Sequence, residues 1–415
     1  MKATSLKKSF LVYILSNLLS TGLPFALLPF LTDHLSKSDY GVLSNFTGLL
    51  SLAMPLIGIN FVSAYTRQYF KKDVDIKDYV GTGLSLQLLL AVFIGSLFLI
   101  FQDFIVLKTG VDPQYVYMAA IYCFIFSVSE IVLTNWRIED RVWFFGLFRI
   151  GRTFVEVTLT LYFVVNLNLD YHGRVLAILS AVLITFIPVL VILFRKGYLK
   201  FSWNKNYLRH IIRYGVPLIP HAFAGAILVY SDKLIITSRI GLDANGVYSV
   251  AFQVGLIIAL IQNSFNLAWV PWFYKQLTSI DSGKKNKIVK ITYLYYIGLL
   301  IATILLIVLT PYIFMILGKE FNGGIELVGW VAVGFLFNGM YKMKVNYLFF
   351  IEKTSIIAAI TIFTAGINIG LNYALVDIYG VEGAAIATSI TFLIQLILGW
   401  IISNRYYPMP WFNRN

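Results

Sequence analysis

The chain has 415 residues, of which 59% are hydrophobic and 13% are charged, and its mean hydropathy is +0.78. A soluble domain of this length cannot hide so large an apolar fraction, so the composition predicts a multi-pass membrane protein. The net charge of +13 does not indicate nucleic-acid binding, because the basic residues fall in short loops between apolar segments. The single cysteine, Cys123, excludes disulfides and cysteine metal sites.

Twelve apolar segments have about the 20 residues that an α-helix needs to cross a bilayer. The first follows the basic start MKATSLKK and continues to about Leu31 without a small-residue cleavage site, so a retained helix is predicted rather than a signal peptide. The predicted fold class is therefore an all-α membrane protein with twelve transmembrane helices. The predicted spans are 9–31, 42–66, 79–101, 114–135, 143–166, 173–194, 215–238, 245–269, 288–310, 327–349, 355–376 and 382–403.

The 33 lysines and arginines are distributed unevenly about these spans. The termini and the loops on one side hold 23 of them, the other side holds five, including Arg174, and five lie within spans. Because basic loops are retained in the cytoplasm, both termini are predicted to be cytoplasmic.

The basic connection at residues 195–214 has two stripes. Apolar residues recur every four positions from Trp203 to Ile211, and basic residues do so from Lys205 to Arg213. This pattern predicts an amphipathic helix. It either lies on the anionic cytoplasmic leaflet or links two halves of the protein while providing a topology signal.

The two halves of the sequence match each other weakly. HLSKSDYGVLS, at 34–44, aligns without gaps with RIGLDANGVYS, at 239–249, and a second match pairs Gly173 with Gly383. Six spans in each half give both halves the same orientation. We therefore expect two six-helix bundles, 1–200 and 201–415, related by a pseudo-two-fold axis along the membrane normal, an architecture in which transporters hold substrate between the halves.

Charged residues within spans are costly and usually functional. In the fifth span Arg149, Arg152 and Glu156 have i, i+3, i+7 spacing, which predicts one helical face. Arg152 would lie about 14 Å from the inner end, too deep to reach the cytoplasm. The donor fork of arginine suits phosphate, so this face is either an anion site that lines a cavity or a buried structural cluster.

The seventh span carries the adjacent pair Asp232 and Lys233, about 10 Å from its outer end. The internal match places Leu27 and Leu28 at the corresponding positions, so the fold itself does not require charge there. A functional pair, snorkelling to the surface and a structural ion pair remain open.

The tenth span has a polar stripe of Asn338, Lys342 and Asn346, whereas Lys344 is expected to point elsewhere and to reach the interface. Lys342 is either functional or structural. Glu130 and His221 can titrate and are candidates for proton coupling, with a structural role as the alternative for His221.

Glycines and prolines interrupt the first span of each half, at Gly22 and Pro24 and at Pro217 and Pro220. Such interruptions let helices bend and predict hinges, although small residues also serve helix packing in membranes. The sequence has no GxxxxGK[ST], HExxH or CxxC motif. Nucleotide hydrolysis, catalytic residues, a metal and a cofactor are therefore not predicted.

Three segments carry a resemblance to a known family. They are Asp232-Lys233 followed by Gly246-Val247-Tyr248-Ser249, the first-half stretch Tyr40-Gly41-Val42, and IYGVEGAAIATSI at 378–390. With the twelve spans and short loops, they resemble bacterial O-antigen and capsule polysaccharide flippases of the Wzx type. This family belongs to the multidrug/oligosaccharidyl-lipid/polysaccharide exporter (MOP) superfamily, and the resemblance covers essentially the whole chain.

The resemblance implies a transporter rather than an enzyme. Such flippases move undecaprenyl-diphosphate-linked oligosaccharide from the inner to the outer leaflet of the bacterial cytoplasmic membrane by alternating access to a cationic cavity, for lipopolysaccharide or capsule synthesis. It further suggests H⁺ or Na⁺ coupling and contact with the polysaccharide polymerase machinery. The expected head-group residues are Arg149, Arg152, Lys233 and Lys342, and those expected for gating or ion coupling are Glu130, Glu156, His221 and Asp232.

Three other functions fit the sequence less well. A multidrug exporter of the same superfamily typically has an acidic residue in the first span, where this chain has Asn17 and serines. A lipid II flippase usually has two more helices. A glycan polymerase or ligase should have a large external loop with catalytic polar residues, and the longest external loop, 102–113, offers none.

Overall fold

The computed structural model describes residues 16, 19–200, 202–278 and 281–411. Throughout these residues the regular structure is helical, without a strand, and the prediction of an all-α membrane protein is confirmed. Residues 19–26 are helical. The further α-helices are α1 (Leu28–His34), α2 (Lys37–Gly58), α3 (Phe61–Gln68), α4 (Ile76–Ile100), α5 (Gln102–Thr109), α6 (Pro113–Ile138), α7 (Val142–Thr160), α8 (Asp170–Arg195), α9 (Lys205–Gly215), α10 (Ile219–Arg239), α11 (Leu242–Leu277), α12 (Ser282–Met315), α13 (Ile325–Phe350), α14 (Thr354–Tyr379) and α15 (Val381–Tyr406).

Ten helical segments in the described part of the chain are long and apolar enough to cross a membrane. They coincide with the second to fourth and the sixth to twelfth predicted spans. The fifth predicted span is α7, extended by the π-helix Leu161–Asn166. It carries three charged residues and is therefore less apolar than the ten helical segments. Of the first predicted span, 9–31, the structure describes residues 16 and 19–31, which are helical except at Leu27.

The chain divides into two compact units between Tyr230 and Ser231, within α10. The first unit contains α1 to α9 and the start of α10, and the second contains the remainder. The predicted bundles, 1–200 and 201–415, were defined by the internal sequence match rather than by contacts. Those bounds and the pseudo-two-fold axis stay predictions.

The core of the first unit is aromatic where α3, α4 and α9 meet. Phe61 and Tyr79 stack with ring centroids 5.8 Å apart, and Ile211 of α9 is fully buried in the same cluster. The helix predicted from 195–214 is therefore present, and Tyr207 and Ile211 of its apolar stripe pack onto protein, whereas Trp203 is 51% exposed. Its basic residues Lys205 and Arg209 are exposed.

Two helix breaks of the first unit lie against each other. After α2, Ile59 and Asn60 adopt left-handed φ angles of 44° and 49°. Between α9 and α10 the chain makes a 3₁₀ turn that contains Pro217. A Cβ atom on Gly215 would lie 2.1 Å from the carbonyl oxygen of Ile59, so only glycine permits this approach.

The core of the second unit encloses a lysine. Lys344 of α13 is 1% exposed, and its Nζ atom lies 3.2 Å and 2.9 Å from the ring centroids of Trp400 and Trp411. The expectation that Lys344 reaches the interface is wrong. The π-faces of two indoles, rather than water, surround the ammonium group, because a residue beyond α15 folds back over α13.

Gly215→Ala is expected to lower the melting temperature of the full-length protein in detergent. The added methyl group would overlap the Ile59 carbonyl oxygen, and overpacking of this kind costs about 1–3 kcal/mol. Gly225→Ala is the matched control, because a Cβ atom there meets nothing within 4 Å. Alanine should be neutral or stabilising at that position. Equal melting temperatures for the two variants would contradict the close approach at Gly215.

Candidate functional site

The charged face predicted from the fifth span forms on α7. The Arg149 guanidinium lies 5.6 Å from the ring centroid of Phe145, and that of Arg152 lies 4.5 Å from the ring centroid of Phe126 on α6. Glu130, a partly buried residue of α6, attracts Arg149 electrostatically. The Nη1 atom of Arg152 is buried and has no hydrogen-bond partner in the described part of the chain. This face therefore holds a buried donor that an anion could engage.

Glu156, the third member of the face, is bound by an arginine of α8. Arg174 donates from Nη2 to Glu156 Oε1 at 2.7 Å and from Nη1 to Thr160 Oγ1 at 2.7 Å. Arg174 lies in the second turn of α8 and is 9% exposed, and its predicted position on the external side stays a prediction. The Arg174 guanidinium neutralises the Glu156 carboxylate. That carboxylate therefore does not neutralise the charge of Arg152. A carboxylate deep in a span needs a cation, and that requirement was the available signal for Arg174.

The Asp232–Lys233 pair is buried within the second unit. Asp232 is 1% exposed and accepts hydrogen bonds from the Tyr248 hydroxyl, from the backbone N–H of Lys233 at 2.8 Å and from the Thr388 hydroxyl at 3.5 Å. Lys233 is 8% exposed, and its Nζ atom lies 4.6 Å from the ring centroid of Phe252. Snorkelling does not describe this pair, because helices α11 and α15 supply its surroundings.

A second polar group adjoins this pair. Ser231 donates to Asn368 Oδ1 at 2.7 Å, and Asn368 Nδ2 donates to Thr391 Oγ1 at 3.3 Å. The sequence reasoning missed Asn368 and Asn372, which lie four residues apart in the apolar α14. Both are buried. Buried amides at helical spacing were a readable sign of a polar contact between helices.

The polar stripe of the tenth span lies on α13 and pairs with α11. Lys342 Nζ donates to Asn263 Oδ1 at 2.6 Å, and Asn346 Nδ2 donates to Asn266 Oδ1 at 2.9 Å. Lys342 and Lys233 thus have different partners. The role of the predicted head-group residues in binding stays a prediction.

The remaining predicted residues lie near helix breaks. His221 is in the first turn of α10, and its Nδ1 atom is buried without a hydrogen-bond partner among the described residues. Pro220 precedes it, and Pro217 lies in the 3₁₀ turn. Gly22 and Pro24 lie in the helical stretch 19–26. Hinge motion at these four positions of glycine and proline stays a prediction.

Residues 6–277, well over half of the chain, match the model of a family described as polysaccharide biosynthesis proteins. The chain belongs to the polysaccharide biosynthesis protein family. The matched region contains α7 with its arginines and the Asp232–Lys233 pair, and it ends before Lys342.

Two relatives match different shares of this family member. Lsg locus putative protein 1 of Haemophilus influenzae is 24% identical over 379 residues, which are 89% of this chain and 90% of the relative. The putative O-antigen transporter of Shigella flexneri is 25% identical over 181 residues, 42% of each chain.

Two solved structures share the fold at low identity. An inward-facing multidrug resistance MATE transporter of the MOP superfamily has a TM-score of 0.75 at 17% identity, over 94% of this chain and 97% of that one. The lipid II flippase MurJ in an inward closed conformation has a TM-score of 0.76 at 14% identity, over 94% of this chain and 86% of that one. These matches confirm the predicted superfamily fold.

Arg174→Met is expected to destabilise the protein, because it leaves Glu156 without a cation in a largely buried position. Removing one partner of such a pair costs about 3 kcal/mol or more, and the double variant with Glu156→Gln should recover part of the loss. Thermal unfolding in detergent measures both effects.

The matched control is Asp281→Asn, which breaks the solvent-exposed contact of Asp281 with Lys284. No measurable change in melting temperature is expected from it, since exposed pairs contribute little. If Arg174→Met also left the melting temperature unchanged, the pair would not stabilise the fold.

Proposed function

We propose that the protein is a lipid-linked oligosaccharide flippase. It moves undecaprenyl-diphosphate-linked glycan from the inner to the outer leaflet of the bacterial cytoplasmic membrane by alternating access, with both termini cytoplasmic. The observation that carries the proposal is the buried Nη1 donor of Arg152, which has no hydrogen-bond partner among the described residues and lies on α7, the fifth predicted span. Membership of the polysaccharide biosynthesis family supports the glycan part of this function.

A diphosphate head group explains why α7 would carry an arginine donor without a partner. An anion that enters hydrocarbon without a partner carries a large free-energy penalty, so its carrier must supply donors. Arginine supplies them as a planar fork that matches phosphate oxygens. Because Arg174 matches the charge of Glu156, that carboxylate is not the partner of Arg152. Arg149, one turn away, adds positive charge to the same face.

The relatives support the same substrate class. One relative is named a putative O-antigen transporter, and one solved structure with the same fold is a lipid II flippase. We extend the proposal to Lys233 and Lys342 as further head-group contacts and to Glu130, His221 and Asp232 as groups for H⁺ or Na⁺ coupling. Contact with polysaccharide polymerase machinery is a further part of the proposal.

An organic-cation exporter is the second candidate, because MATE transporters share this fold. Two features disfavour it. The predicted first span, 9–31, contains no acidic residue, and the α7 face presents two arginines that repel a cation. A cationic substrate would leave the buried Arg152 donor without a partner.

Arg152→Ala is expected to slow transfer of a fluorescent lipid-diphosphate-oligosaccharide between leaflets of proteoliposomes by about tenfold or more, the loss expected for a charge-assisted hydrogen bond. Arg152→Lys keeps the charge but loses the fork, and an intermediate rate is expected. Initial rates of glycan exposure to an impermeant reagent provide the measurement.

Arg209→Ala, which removes an exposed arginine of α9, is the matched control and should keep the wild-type rate. A wild-type rate for Arg152→Ala would retain the transport function and reject Arg152 as a binding residue. Absence of lipid transfer by the wild type, together with export of organic cations from the same vesicles, would reject the flippase proposal.

A further inference from the structure

The first unit contains an apolar groove that the flippase proposal does not use. It lies between α4, α6 and α8 and has a volume of ≈ 240 Å³. Its walls include Leu84 and Leu88 of α4, Phe124 of α6, and Phe186 and Leu190 of α8. None of its lining residues belongs to α7, where the arginine face lies. Leu88 and Leu190 are exposed on the surface, so the groove opens outward.

The groove runs along the helices from one end of the spans toward the middle. The α4 start at Ile76 and the α8 end at Arg195 lie on the same predicted side of the membrane. At 1.5 Å per residue, Leu190 lies about 8 Å from that end and Leu88 about 18 Å from it. One leaflet contributes roughly 15 Å of hydrocarbon, so the groove has the length of a single leaflet.

The wall offers an occupant almost no hydrogen bonds. The hydroxyl of Ser85 lines the groove, but it already donates to the carbonyl oxygen of Gly81 at 2.9 Å. A peptide or a sugar in this space would leave its polar groups without partners, at a large cost in free energy. The groove therefore suits a hydrocarbon chain.

A lysine stands at the open end of the groove. Lys200 lines it, and the lysine side chain is 65% exposed, with Nζ 4.0 Å from Asp78 Oδ1. Its backbone is held in place, because a Cβ atom on Gly81 would lie 2.3 Å from the Lys200 carbonyl oxygen. The Asn204 side chain also donates to Asp78 Oδ2, at 3.2 Å. The fold thus positions this ammonium group where a lipid head group would lie.

The surrounding segment reinforces that charge. Residues 195–213 contain six lysines and arginines and no acidic residue. Basic clusters of this kind attract anionic lipids by about 1 kcal/mol per residue near the surface. An anionic head group is therefore favoured over a zwitterionic one.

We propose that this groove binds one acyl chain of an anionic phospholipid whose phosphate contacts Lys200. The bound lipid fills the space between α4, α6 and α8 and ties the basic segment 195–213 to the leaflet surface. The proposal does not depend on which substrate the protein transports, because the groove shares no residue with the α7 face.

The test titrates full-length protein in detergent with palmitoyl-oleoyl phosphatidylglycerol or the phosphatidylcholine analogue, and native mass spectrometry counts the bound lipid. Wild type is expected to bind phosphatidylglycerol about fivefold more tightly, because its head group has a net negative charge, whereas the choline of phosphatidylcholine offsets the phosphate charge near Lys200. Leu88→Trp, which fills the groove, and Lys200→Glu should each remove this preference. Leu89→Trp, at an exposed residue beside the groove, and Lys108→Glu, at an exposed lysine outside both the groove and the basic segment 195–213, should retain it.

A second measurement does not depend on filling the groove. Cys123 is the single cysteine and is buried, so Leu88→Cys introduces one reachable thiol, and Leu89→Cys is its control. Phosphatidylglycerol should slow labelling by a lipid-soluble maleimide at 88 but not at 89. Equal labelling at 88 with either lipid, or tight phosphatidylglycerol binding by Leu88→Trp, would overturn the proposal. Displacement of phosphatidylglycerol by an equal amount of undecaprenyl diphosphate would assign the groove to a polyprenyl chain and overturn the phospholipid assignment.

Discussion

Hydrocarbon does not solvate charge, and this constraint explains the contacts that charged side chains make between the helices. Each ionised side chain that the chain carries into a span needs a partner from another helix, because burial without one is costly. Glu156 has Arg174, Lys342 has Asn263, and Asp232 has the hydroxyl of Tyr248. These contacts join α7 to α8, α13 to α11, and α10 to α11. Arg152 and Lys344 are instead covered by aromatic rings, and each has a nitrogen without a hydrogen-bond partner among the described residues.

The extent of the helices could be predicted because it is a local property of the chain. A run of about 20 apolar residues is readable without knowledge of any neighbour. The same holds for one face of a helix, so the spacing of Arg149, Arg152 and Glu156 was sufficient to place them together on α7. The fifth predicted span is a long helix although it carries three charged residues. Helix length and apolar character are therefore separate signals in the sequence.

The partners of these charges could not be predicted, because they depend on which helices lie side by side. Arg174 is 18 positions from Glu156 and was counted with the external residues, since it stands near the start of its span. Lys344 was assigned to the interface only because it points away from Lys342 on the helix. The residue that encloses it, Trp411, lies beyond α15, and no periodicity in α13 indicates such a contact.

Lys344 acquires its two indole neighbours only late in the synthesis of the chain. Trp400 and Trp411 are synthesised after Lys344, with α14 and most of α15 in between. While α13 is entering the bilayer, the ammonium group has no aromatic cover, and it lies about 9 Å from the C-terminal end of its helix, within reach of water. During that interval we expect Lys344 to act as a topogenic positive charge that helps to retain this end of α13 on its predicted side of the membrane. Once the final helix and the residues beyond it are in place, the same group becomes part of the aromatic core.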